Sequence, residues 1–126
     1  MRARLLISTA VTALLIAACG GGGDSISADA QEFAFSPTSW TVDEGADVTL
    51  TFTNNGTEEH EWVILSEEIT SEDQFSEDLV IWEMEADPGI SAKETFTAPA
   101  AGTYQVICAL PGHFSSGMEG TLTVEG

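Results

Sequence analysis

Two stretches of this chain hold residue types able to bind a soft metal. The longer reads Cys108-Ala109-Leu110-Pro111-Gly112-His113-Phe114-Ser115-Ser116-Gly117-Met118-Glu119-Gly120. A thiol, an imidazole and a thioether follow one another along it at five-residue intervals. Its glycines and its proline let such a segment fold back and aim all three side chains at one point. The second stretch is short: Asn54-Asn55-Gly56, then His60, and His60 and His113 are the only histidines in the chain. Soft sulfur ligands together with imidazole select copper. One copper ion per chain is therefore the expected cofactor, with His60, Cys108, His113 and Met118 as the candidate ligands.

Each of these residues, taken singly, has a plainer explanation. A histidine at a strand start usually sits on the surface or in a satisfied core position. A lone methionine usually packs, which is how Met84 is read, and Gly117 and Gly120 can be simple turn residues. Together, however, the two histidines, one of the two methionines after Met1 and the cysteine at 108 fall into one ligand set.

These residues must be positioned by β-structure. Phe33 and Phe35 alternate with polar or small neighbours until Ser36-Pro37 breaks the run. Trp40-Thr41-Val42 and the run Asp47 to Thr53 flank the turn residues Glu44-Gly45, and Val48, Leu50 and Phe52 share one face of the second run. Asn54-Asn55-Gly56 is a strong turn signal, after which His60 to about Leu65 reads as an apolar strand. Sheet resumes at Ala92 to Thr97, at Thr103 to Cys108 and at Gly120 to Val124. Seven to eight short strands of this kind predict an all-β, Greek-key β-sandwich over residues 28–126. Residues 66–90 differ: Ser71 and Gln74 have capping-box spacing, and Phe75, Leu79 and Trp82 recur at helical spacing. A short helix or a loop with one helical turn is expected there.

The N-terminus reads as a leader. Arg2 and Arg4 precede an almost wholly apolar run, Leu5 to Ala18, which is too short for a membrane span and suits the core of a signal peptide. Ala3 separates the arginines, so there is no twin-arginine pair. Ile16-Ala17-Ala18-Cys19 resembles a bacterial lipobox, which implies a signal peptide at 1–18, lipidation of Cys19 and a glycine-rich tether over 19–27. An ordinary signal peptide with Cys19 incidental is the plainer alternative. If Cys19 carries lipid, Cys108 is the lone thiol left in an oxidising compartment, which invites a functional reading.

Of three basic residues in the 126-residue chain, two lie in the leader, leaving Lys93 against 21 acids. Phosphates would be repelled, which argues against a nucleic-acid partner. A cationic partner, or a saline habitat in which acidic surfaces stay hydrated, fits the charge. A monomer is expected. The chain is long enough to bury a core without disulfides.

The loop resembles the copper loop of the cupredoxins, the family of plastocyanin and azurin. Its C-x4-H-x4-M spacing and Pro111-Gly112-His113 are most similar to rusticyanin and sulfocyanin. Gly102-Thr103-Tyr104 leading into Cys108, and Asn54 with Gly56 before His60, sit where that family has them. The resemblance implies the blue-copper donor set: His60, Cys108 and His113 as equatorial ligands and Met118 as a weak axial one. Two departures stand out. Glu61 follows His60 where the family usually has Asn or Ser, and Ala109 follows Cys108 where Ser or Thr is common. The side chains that ordinarily brace the copper loop are thus replaced, which bears on the potential of the site.

The implied function is that of a secreted, lipid-anchored carrier passing single electrons at the cell envelope. By resemblance the ring edge of His113 is the exit, beside an apolar patch from Leu110 and Phe114. The acidic remainder would speed docking to a positively charged cytochrome or terminal oxidase. A copper storage or delivery lipoprotein is the main alternative, and a copper-free interaction module is a further one. An enzyme is not expected. One four-ligand mononuclear site leaves no open position, and a dinuclear copper site needs two cysteines in the loop.

Overall fold

The computed structural model describes residues 23–126, so the expected leader and the lipidation site Cys19 lie outside the described residues. The described chain forms nine strands: β1 (Asp24–Gln31), β2 (Ala34–Ser36), β3 (Ser39–Asp43), β4 (Asp47–Asn54), β5 (His60–Leu65), β6 (Val80–Ala86), β7 (Ser91–Thr97), β8 (Gly102–Ile107) and β9 (Glu119–Glu125). They make two sheets, ordered β2-β1-β4-β7 and β3-β9-β8-β5-β6. Both are mixed, because β1 runs parallel to β4 and β3 parallel to β9. Among the described residues no helix is long and apolar enough to cross a membrane.

The sandwich follows from period-two alternation. On β4, Val48, Leu50, Phe52 and Asn54 are buried while the residues between them are exposed or half-buried. Val48, Leu50 and Phe52 meet Trp62, Ile64, Val106, Leu122 and Val124 of the facing sheet in one continuous core. At its centre the Trp62 ring lies edge-on to Trp40 (centroids 5.2 Å apart) and against Trp82 and Phe96. Met84 belongs to this core, as read from the sequence.

The structure corrects the expected boundaries in two places. Residues 24–27, assigned to the tether, begin β1, because their backbone pairs with β4 from Asp24↔Val48 onward. Of the forms expected for residues 66–90, the loop with helical turns is found up to Leu79, and the departure is a strand after it. These residues form two short 3-10 turns, Glu72–Gln74 and Glu77–Leu79, and then the edge strand β6, antiparallel to β5. Gln74 Oε1 does accept the Ser71 N–H (3.3 Å), as capping-box spacing requires. Phe75, Leu79 and Trp82 do not share a helical face. Phe75 and Leu79 pack on the outer side of β5, whereas Trp82 joins the main core.

That packing gives residues 66–79 a role. β5 is buried on both faces: Trp62 and Ile64 point into the sandwich, while Val63 and Leu65 point outward. The outward pair forms a second, smaller core with Ile69, Ile107, Phe75, Leu79, Val80, Ala109 and Phe114. The segment is a lid of about a dozen residues over apolar surface that water would otherwise meet.

Candidate metal centre

Four side chains meet at one end of the sandwich. His60 opens β5 and is fully buried there. Cys108 follows β8 directly, and the chain from 108 to 118 turns back so that Met118 stands just before β9. Backbone bonds lock this loop upon itself: Cys108 N–H donates to Met118 O (3.2 Å) and Met118 N–H to His113 O (3.1 Å). Gly112 holds φ +85°, a left-handed conformation that side-chain-bearing residues rarely adopt, immediately before His113. Cys108 and Met118 are fully buried and His113 is 7% exposed.

The donor atoms converge. His60 Nδ1 lies 3.2 Å from His113 Nδ1, and His113 Nδ1 lies 3.2 Å from Cys108 Sγ. Two imidazole nitrogens and a sulfur facing one another across such gaps suit a cation held between them. The chemistry of the thiol agrees. Burial pushes Cys108 up to about 11, and a metal cation supplies the opposite charge that a buried thiolate requires. Burial also holds His60 below the usual imidazole range, which keeps it in the neutral form a metal needs.

The surrounding contacts show how the loop is braced with Glu61 in place of Asn or Ser. At Glu61 both the backbone and the side chain reach the loop: its N–H donates to Cys108 Sγ (3.3 Å), and its carboxylate accepts from the Ala109 N–H. The Glu61 carboxyl is half-buried, and burial followed by Glu83, Glu85 and Glu59 raises its pKa. A second brace on the loop comes from Glu72, in the first 3-10 turn. Its carboxylate accepts from Gly112 N–H (3.1 Å), Ser115 N–H (3.0 Å) and Ser115 Oγ (3.0 Å), and these bonds lower its pKa. Ala109 is half-buried and packs against the smaller core.

Three further residues touch the histidines and were not singled out from the sequence. Glu32 Oε1 lies 3.3 Å from His60 Nε2, and Glu58 Oε2 lies 3.4 Å from His113 Nε2. Hydrogen bonds, chiefly from the Glu58 backbone, lower Glu32 to about 2. Phe33, 36% exposed, sets its ring edge-on to His113 with centroids 4.9 Å apart. Phe114, expected beside the His113 exit, is instead partly buried against the smaller core. No local pattern marks these carboxylates in a chain with 21 acids.

A model of the copper-binding proteins of the plastocyanin/azurin family matches residues 23–125. The chain belongs to that family. Auracyanin-A of Chloroflexus aurantiacus is 29% identical over 158 aligned positions, spanning 98% of this chain and 97% of that protein. The solved structure of auracyanin A, described as a "blue" copper protein, has a TM-score of 0.69 at 31% identity, over 82% of this chain and all of that one. Auracyanin from Roseiflexus castenholzii, reduced with dithionite, reaches a TM-score of 0.72 at 28% identity, over 83% of this chain and all of that one. Reduced rusticyanin shares the fold, with a TM-score of 0.61 at 24% identity over 82% of this chain and 81% of that one. The cupredoxin resemblance of the loop thus extends to the whole domain. Copper is the cofactor of this family member, and the donor set is of the blue-copper type.

Proposed function

We propose that this cupredoxin carries single electrons between redox partners at the cell envelope, with His60, Cys108, His113 and Met118 as the ligands of one copper ion. The observation that carries the reading is the convergence of His60 Nδ1, His113 Nδ1 and Cys108 Sγ within a buried pocket, with Met118 buried at the end of the same loop. Bound copper supplies a one-electron couple between its two oxidation states. The chain's part is to keep the donors still. His60 is held in a sheet, and the other three donors are held by a loop cross-bonded to itself and to Glu72. Small ligand movement keeps the cost of reorganisation low. Four protein donors leave no open position for a substrate, which supports a carrier over an enzyme. The fold alone does not decide that point, since a multicopper oxidase shares it with a TM-score of 0.61 at 20% identity.

Delivery of copper requires donors that a partner can reach, and the four ligands here are buried. Electrons need only a short route, and the His113 ring edge, against exposed Phe33, supports one. Glu58 beside it is more than half exposed. With Lys93 alone against 21 acids, this surface favours a partner with a basic docking face, such as a cytochrome or a terminal oxidase. A lipid on Cys19 would tether the domain to the extracytoplasmic face of a membrane, and the Cys19→Ala chain should then leave the membrane fraction. Persistent membrane association of that variant would refute the anchor.

The deciding experiment is titration of the protein with Cu(II), followed by visible absorption and electron paramagnetic resonance. An intense charge-transfer band that saturates at one copper per chain, with narrow hyperfine splitting, is the expected result. Weak colour with ordinary splitting would mean that Cys108 is not a ligand and would overturn the carrier reading.

A further inference from the structure

An imidazole can present a lone pair to a metal at only one nitrogen, and the partner of the other nitrogen decides which. For His60 that partner is a carboxylate. Glu32, between β1 and β2, places Oε1 3.3 Å from His60 Nε2. The same oxygen accepts the backbone N–H groups of Thr57 (2.6 Å) and Glu58 (2.8 Å), both on the turn that leads into His60. An ionised carboxylate only accepts hydrogen bonds, so the hydrogen must sit on His60 Nε2. The Nδ1 lone pair is then left facing His113 Nδ1 and Cys108 Sγ.

The turn is shaped to admit this carboxylate. A Cβ at Gly56 would lie 2.8 Å from Glu32 Cδ, closer than side-chain carbons tolerate, so only glycine leaves the space. Asn54, fully buried, holds the turn from the other side. Its amide donates to Glu58 O (2.7 Å) and Ala86 O (2.8 Å), and its Oδ1 accepts from Gly56 N–H (2.8 Å). The His60 ring is fully buried whereas the Glu32 side chain is 28% exposed, so the carboxylate reaches the ring from the solvent side.

We propose that Glu32 is a positioning residue for the copper centre: it fixes the tautomer and ring angle of His60, and Gly56 is the residue that makes room for it. The purpose of this brace rests on the copper reading above. Its physical content, the state of the His60 ring, is testable without metal.

The test uses long-range 1H–15N correlation of the imidazoles in the copper-free protein, with Glu32→Ala, Glu32→Gln and Gly56→Ala as variants. In the unaltered protein His60 is expected wholly as the Nε2–H tautomer. Glu32→Ala should give a mixture of tautomers. Gly56→Ala should do the same with Glu32 still in the chain, because the new methyl expels the carboxylate. Glu32→Gln keeps an oxygen for the three donors, so the tautomer should persist, while the lost negative charge should raise the reduction potential of the copper-loaded form. Copper affinity should fall about 10- to 100-fold in Glu32→Ala, the usual effect of losing a partner behind a metal-binding histidine. Backbone amide shifts beyond residues 30–34 and 54–60 report whether the fold is retained. A His60 ring that stays wholly Nε2–H in Glu32→Ala, with unchanged copper affinity, would overturn the brace. An unaltered protein that takes up no copper would instead overturn the metal reading, with the tautomer result standing apart from it.

Discussion

The donors of this centre come from two regions held in opposite ways. His60 sits on β5, a strand flanked by β6 and β8 and buried on both faces, where the ladder sets its backbone position. The other three donors lie on an eleven-residue stretch, 108–118, with no ladder of its own. That stretch depends on turns within itself and on acceptors lent from outside, Glu61 at Ala109 and Glu72, the latter between 40 and 43 residues earlier than its partners. In both regions a carboxylate gathers backbone N–H groups next to a histidine: Glu32 at 57–58 for His60, and Glu72 at 112 and 115 for His113. The carboxylate on the strand side also touches the ring, whereas the one on the loop side holds only the chain around it. A sheet thus leaves just the orientation of a ligand to be set, while a loop needs its path set as well.

This contrast can be broken or sharpened by substitution. The largest effect is expected at the loop's thiol: Cys108→Ser should abolish the intense visible band of the copper-loaded protein while circular dichroism keeps its β-sheet signature. A variant that stayed strongly blue would remove the loop from the centre. Next comes the strand side. Asn54→Ala orphans Glu58 O and the buried Ala86 O, at about 2–3 kcal/mol in chemical denaturation. Its amide-exchange effects should concentrate at 55–60 and spare 108–118, and an even spread would show that the two regions are not separately held.

Met118→Leu should retain copper and raise the reduction potential in voltammetry, because the weak axial donor is lost. An unchanged potential would mean that Met118 is not axial. The smallest effect is expected at Glu72→Gln, seen as faster amide exchange at Gly112 and Ser115 with little change at His60. The sign with pH follows from its lowered pKa. A carboxylate whose folded value lies below its unfolded one contributes in full above the unfolded value and loses that contribution as pH falls through the folded one. The gap in melting temperature between the unaltered protein and Glu72→Gln should therefore be widest near neutral pH and close in acid. A gap that widened on acidification would contradict the hydrogen bonds drawn for Glu72.

Much of this molecule can be read in one dimension because its cues are local. The donor spacing of 108–118 lies within a single loop, and the alternation of Val48, Leu50 and Phe52 is a property of one strand. Donor chemistry and sandwich class follow from such cues without knowledge of what packs where. Other cues conflict. Trp82-Glu83-Met84-Glu85-Ala86 alternates as a strand should, but Phe75, Leu79 and Trp82 also fall at helical spacing, and only pairing of β6 with β5 resolves the two. β1 carries no aromatic residue, and the inward face of its small Ala28 and Ala30 becomes evident only beside β4.

Glu32 and Glu72 were beyond reach for a different reason. Each is one acid among 21, with no spacing that sets it apart, and its partners lie 25 or more residues away. Residue types and their periods settle which atoms can bind copper and that a sheet must carry them. Which carboxylates turn those atoms toward the metal is decided only when the strands have closed, because a hydrogen bond acts over about 3 Å and that distance between remote residues is a product of topology.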